Sequence, residues 1–325
     1  MGVGRFIGKL FGGGETAKDE ALLRAYGKLP MYAEYRRLEV APGAPTAFSQ
    51  WMDAGRLAWA RSPTRSATGS THPTRLLLRL PETKELVVAS VWDSRDSLGR
   101  VFPFSFFIVC APADLGADAV EQWATASALH NAFDGFHGEL PALSQGGDFY
   151  RLFQKRIIPL RPDDFAQQTA DLRRQSADID AQPWAEKADF DGVQDPGLWF
   201  AGVARRAQRL REQPDLIGDL ALSCPLSTAA PLGAQVALWL RWFASLGKAD
   251  RLPSVVAPAG EIRAPALLYL AARDVLPDDF QLLTSDARSY SFVEKLSSGA
   301  ADIEAGPPPT GPLISWLLTQ SAPPS

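Results

Sequence analysis

Cysteine and histidine are nearly missing from this chain. Two cysteines, Cys110 and Cys224, lie far apart among 325 residues, and the histidines are His72, His130 and His137 only. Ligands at such spacing assemble neither a disulfide framework nor a zinc site, so no metal or organic cofactor is expected and a reducing compartment fits best. A surplus of positive charge is also lacking. Lys and Arg number 33 against 37 Asp and Glu, a net charge of −4, which excludes a globally basic nucleic-acid or lipid binder. The longest apolar stretch, Phe102 to Pro112, falls short of the roughly 20 residues that cross a bilayer. At the start, Gly8 and Lys9 break the apolar positions that a signal peptide needs, and Phe6 stands where myristoylation calls for Ser or Thr. These absences describe a cytoplasmic protein without a transmembrane segment. Catalytic signatures are wanting too. There is no G-x-S-x-G elbow and no phosphate-cradling loop, since Gly12-Gly13-Gly14 precedes no strand–helix unit.

What is present is the balance of a globular domain, with 46% hydrophobic and 22% charged residues. Residues 1–20 read as a flexible tail, although Glu15 to Arg24 is helix-like. Thr46 is placed to cap a helix on which Phe48, Trp51, Met52 and Gly55 recur at spacings of three and four. Leu76 to Leu80, Leu86 to Trp92 and Phe102 to Cys110 are three β-rich runs with short links, hence antiparallel neighbours. The second and third are apolar almost throughout, so helices must cover both faces of their sheet. Helical stripes occur at Asp118 to Phe133, Leu198 to Leu210 and Val236 to Leu246. Further strands are expected at Ser254 to Ala257 and Ala266 to Leu270. Arg161 to Asp195 reads as a linking helix and loop. The implied organisation is an α/β region over residues 21–160, with residues 161–325 completing or extending the same fold as an α/β/α sandwich on a largely antiparallel or mixed sheet.

Candidate chemistry is sparse. His130 sits on the apolar stripe of its helix and reads as a buried, hydrogen-bonded histidine. The acidic pairs Asp163-Asp164 and Asp278-Asp279 stand at helix starts, where carboxylates satisfy free amides. Arg205, Arg206, Arg209 and Arg211 read as the solvated face of an amphipathic helix, so no nucleic-acid partner is expected. The segment that stands out is Ser94-Arg95-Asp96-Ser97-Leu98-Gly99-Arg100-Val101-Phe102-Pro103, the link between two buried strands. Asp96 and Arg100 can pair across it, Gly99 can supply a positive φ, and Ser94 can cap.

This S-x-D-x-x-G-R-x-F-P run resembles the central motif of the TagF/ImpM family, accessory proteins of bacterial type VI secretion. Tyr26-Gly27-Lys28-Leu29-Pro30 is similar to that family's opening F-G-K-L-P, and Phe48 with Trp51 to its F-x-x-W helix. Ala266-Leu267-Leu268 running on to Leu276-Pro277-Asp278-Asp279-Phe280 is similar to its later strand and G-L-P-x-x-x-F piece. After K-L-P the family's arginine-glycine pair is absent, although Glu34 and Tyr35 keep an acidic residue and an aromatic. The chain is a longer, divergent version, with extra sequence between about Arg161 and Asp250. The resemblance implies an α/β sandwich and a non-enzymatic, post-translational repressor whose partner is a forkhead-associated-domain scaffold of the secretion machinery. Lys28, Glu34, Tyr35, Ser94, Arg95, Asp96, Gly99, Arg100 and Phe102 are then candidates for the partner site. Two alternatives stay open. One is a hydrolase or phosphate-handling enzyme using Ser94, Asp96 and Arg100, and the other is a structural adaptor of the secretion baseplate.

Overall fold

The computed structural model describes residues 20–61, 73–81, 83–145, 148–160, 162–188, 190, 193, 195–246, 252–259, 267–283, 294–295 and 306–321. In chain order its elements are β1 (Glu20–Leu22), β2 (Arg24–Gly27), β3 (Arg36–Leu38), α1 (Ala44–Arg61), β4 (Thr74–Arg79), β5 (Leu86–Trp92), β6 (Phe104–Cys110), α2 (Pro112–Leu115), α3 (Ala119–Glu139), α4 (Phe149–Phe153), β7 (Ile157–Pro159), α5 (Ala166–Ala177), α6 (Ala181–Lys187), α7 (Pro196–Glu212), β8 (Ala221–Pro225), α8 (Leu232–Ser245), β9 (Ser254–Pro258), β10 (Leu267–Ala271), β11 (Glu294–Lys295) and α9 (Leu313–Ser321). Nine strands form one sheet in the order β11-β8-β10-β9-β4-β5-β6-β2-β3, and β1 pairs with β7 apart from it. Each pairing within the large sheet is antiparallel except β8 with β11. The fold is the expected α/β arrangement, a largely antiparallel sheet covered by helices.

The strand sequences explain the layers. Every residue of β5 is buried, and alternate side chains enter different cores. Leu86, Val88 and Trp92 join the core under α3, where Trp123, Ala126, Leu129 and Phe133 pack. Val87, Ala89 and Val91 join the core under α1, with Phe48, Trp51 and Met52. A 3₁₀ turn at Pro277–Leu283 closes that second core. Trp51 Nε1 donates to the Leu276 carbonyl at 2.8 Å, and a Cβ on Gly55 would stand 2.3 Å from the Phe280 Cβ. The Phe48–Trp51 and Leu276–Phe280 segments are thus two sides of one contact. Strands from both halves of the chain share the sheet, because β9 pairs with β4.

Three expectations are corrected. The described part of Glu15 to Arg24 is β1 and the start of β2, because pairing with β7 and β6 buries Ala21, Leu23 and Ala25 and overrides local helical preference. The rest of the expected tail lies outside the described residues. Thr46 does not cap α1, which begins at Ala44; its hydroxyl donates to the Ala41 carbonyl from inside the first turn. Arg161 to Asp195 is no mere linker, since it carries α5 and α6, and Trp184 of α6 is fully buried.

Among the described residues no helix is long and apolar enough to cross a membrane. Both cysteines are buried free thiols, and burial pushes each well above the usual thiol range, so neither is a reactive nucleophile.

Gln235 of α8 sets the corner where α6, α8 and the loop after β8 meet. Its Oε1 accepts from Trp184 Nε1 at 2.9 Å and from the Ser227 amide at 2.8 Å. Its Nε2 donates to the Ser227 and Ala230 carbonyls at 2.8 and 2.7 Å. Gln235→Leu strands several buried partners at once. We expect a loss of about 3 kcal/mol of unfolding free energy in denaturant titration, against near neutrality if water enters the corner.

Candidate functional site

The two motif segments meet at one end of the sheet. β2 runs into Gly27, whose φ of +133° is one that a side chain rarely adopts and whose Cβ would stand 2.1 Å from the Pro103 carbonyl oxygen. Only glycine lets the two backbones approach so closely. The next residue, Lys28, turns inward. Its Nζ donates to Asp96 Oδ2 at 2.8 Å, and both side chains are buried. Ser94 Oγ donates to the Lys28 carbonyl at 2.7 Å, and the Ser97 amide to the Tyr32 carbonyl at 2.9 Å. The opening motif and the central motif are therefore one interlocked structure.

Asp96 organises its own turn. Oδ1 accepts from the Leu98 and Arg100 amides at 3.0 and 2.8 Å, and Oδ2 accepts from Arg100 Nε at 2.6 Å as well as from Lys28. Gly99, at φ +79°, supplies the left-handed step that brings the Arg100 amide round to the carboxylate. Burial is the largest influence and opposes ionisation. The Lys28 hydrogen bond, then the Arg100 amide, the Arg100 side chain and the Leu98 amide outweigh it, holding the carboxyl well below the usual carboxylate range.

Aromatic rings complete the junction. Tyr35 and Phe102 meet edge-on at 4.8 Å, Tyr26 stacks on Tyr35 at 5.7 Å, and the Lys28 ammonium lies 5.0 Å from the Tyr35 ring centre. Tyr26 donates its hydroxyl to Asp53 of α1 at 2.7 Å. Burial comes first, and the Asp53 hydrogen bond second, in pushing that phenol above its ordinary range.

The structure brings the nine candidate residues together but sorts them by access. Glu34, Tyr35, Arg95, Gly99 and Arg100 are exposed, and Ser94 is half-buried. Lys28, Asp96 and Phe102 are buried and hold the junction from inside. The Asp96–Arg100 pair forms as expected, but the buried partner of Asp96 is Lys28, with the Arg100 side chain 57% exposed. Ser94 does not cap the turn; it ties the turn to β2. Arg37, which lies over the Tyr26 ring, and Asp53 were not singled out from sequence. The alternation of β3 opposite Tyr26 is a signal for Arg37, whereas nothing local signals Asp53.

Other candidates settle elsewhere. His130 is buried, with Nδ1 3.1 Å from Ser90 Oγ, and burial, then the charge of Arg75, lowers its pKa well below the ordinary value. Asp279 is buried and accepts from Arg273 and from the Leu276 amide, which makes it a structural anchor. Among the described residues no group of three or more His, Cys, Asp or Glu side chains is placed to hold a metal ion. Open depressions of about 360 Å³ beside Trp184 and about 540 Å³ beside Arg173 and Arg241 lie away from the junction.

Fold and junction together define an α/β sandwich with a rigid, charge-locked loop pair at a sheet end. No family model and no curated protein matches the chain. Among solved structures it is similar to PA0076 from Pseudomonas aeruginosa PAO1 at 17% identity, over 81% of this chain and 94% of that one, with a TM-score of 0.35.

Two outcomes follow from this geometry. Lys28→Met leaves a buried carboxylate short of its main cation and is expected to cost about 3 kcal/mol. Arg100→Ala removes a partly solvated partner and is expected to cost about 1 kcal/mol or less. Equal midpoints in urea for the two variants would contradict this ranking. The second outcome concerns acid. A carboxyl depressed by folding contributes stability that is complete above its unfolded pKa, near 4, and is lost as the pH falls through the folded value. Wild type should therefore lose stability below about pH 4 more steeply than Asp96→Asn, with no contribution from this group to any change between pH 5 and 7.

Proposed function

We propose that this protein is a non-enzymatic accessory regulator of bacterial type VI secretion. On this reading it is a post-translational repressor that binds a forkhead-associated-domain scaffold through the sheet end that carries the interlocked loops. The observation behind this is that the residues carrying the TagF/ImpM resemblance are the residues that build the junction. Gly27, Lys28, Ser94, Asp96, Gly99, Arg100 and Pro103 each hold another member of the set. Residues occupied in holding two loops together fit a scaffold whose exposed rim meets the partner.

The junction's chemistry favours binding over the hydrolase alternative. Asp96 already accepts four hydrogen bonds with its carboxyl held well below the usual range, which leaves it a poor base, and the Ser94 hydroxyl donates to a backbone carbonyl. A baseplate adaptor would use the same rim, and the partner recovered decides between the two.

Affinity capture from the native host is expected to recover a forkhead-associated scaffold with the wild-type protein, and deletion is expected to raise secretion. Recovery of baseplate components alone supports the adaptor. Turnover of a phosphoester or ester substrate that depends on Asp96 transfers the site to an enzyme.

A further inference from the structure

The layer between α3 and the sheet is largely apolar, yet it holds a histidine. His130 of α3 is fully buried, and its ring lies 5.9 Å from that of Trp123 and 6.2 Å from that of Phe133, centre to centre. Nδ1 is 3.1 Å from Ser90 Oγ of β5. Nε2 is buried without a hydrogen-bond partner.

The charged groups around this ring do not compensate a proton on it. From β4 comes a cation, Arg75, opposite Ser90 in the strand register. Its Nη2 donates to Asn131 and Asp134 of α3 at 3.3 and 3.2 Å. β5 offers only the neutral Ser90 here, and β6 turns Phe104, Phe106 and Ile108 to this core. On α3 itself Asp134 is engaged by Arg75, and His137 stacks on Trp92. Arg173 of α5 bonds Asp118 and Glu121 at the other end of α3, and Arg241 of α8 donates to Ser176. Asp114 of α2 accepts from the Ala111 amide, Asp164 is exposed, and the turn Leu140–Gln145 has no charged residue.

Neutral imidazole suits this setting and imidazolium does not. The cation carries two N–H donors. Ser90 Oγ can accept from one, while the other would stay buried without an acceptor, and the new charge would lie near a guanidinium in an apolar layer. We propose that His130 is an acid-sensitive catch between α3 and the sheet: the closed layer holds only its neutral form, and a proton binds only once the layer opens. Burial first, and Arg75 second, hold the folded pKa well below that of a free histidine. A histidine in the unfolded chain titrates near 6.5, so the catch contributes fully above that value. Below it, each pH unit favours the open form about ten-fold until the folded pKa is reached. The Asp96 carboxylate acts only below about pH 4, so the two effects separate. The catch is independent of what the loop junction binds.

The test is urea unfolding of the full chain at about pH 7.5 and 5.5, followed by circular dichroism, on His72→Gln/His137→Gln, which leaves His130 as the only histidine. The unfolding constant is expected to rise about ten-fold between the two conditions, and adding His130→Gln is expected to remove most of that rise. A rise below about three-fold, or one that survives His130→Gln, overturns the proposal. If the triple variant does not fold, nitrogen-15 NMR of the imidazole in the double variant decides. A ring that stays neutral in the folded protein at about pH 5.5 supports the catch, and titration near 6.5 in the folded state overturns it.

Discussion

The buried ion pair between Lys28 and Asp96 is the constraint on which the sheet end depends. A carboxylate shielded from water is tolerable only with compensation, and here it comes from another strand as well as from its own turn. The geometry is mutual. Lys28 faces inward only because Gly27 lets β2 pass against the Pro103 backbone, and the turn reaches Lys28 only because Gly99 takes a left-handed step. A chain that loses the ion pair keeps the Ser94–Lys28 and Ser97–Tyr32 backbone ties between the two loops but loses the buried charge lock beneath them.

The rest of the molecule supplies the rigid base for that junction. β5 and β6, which lead into and out of the turn, are buried almost throughout, with phenylalanines of β6 packed into the cores on both faces. The loops between them are anchored on buried strands and tied to each other by backbone hydrogen bonds. β3 ends the sheet with two arginines, a charged edge that resists pairing with another copy's strand.

Much of this was legible in the residues. The apolar runs of β4, β5 and β6 and their short links gave the antiparallel core, because period and turn chemistry are local signals. Burial of both faces followed from the absence of polar alternation. The Asp96–Arg100 contact could be read because it spans one turn. Lys28 as the deeper partner could not, since nothing in the sequence says that β2 lies beside β6. β8 escaped for a related reason. Its five residues are short and unmarked by turns, and they become a strand only between β10 and β11. The strand character of residues 20–24 likewise comes from neighbours supplied by β6 and β7.

The strand order also has a consequence for how the chain is made. β4 lies near the middle of the sheet, flanked by β5 from its own half and by β9 from the other, with Leu76 opposite Val256. As the polypeptide leaves the ribosome, β4 finds β5 at once, while its other edge waits for β9 through the synthesis of seven further helices. Throughout that interval Leu76, Leu77 and Leu78 border an unpaired apolar edge, the feature that recruits foreign strands. Early cover of that edge by α3, which packs on β4 and β5, shortens the exposure.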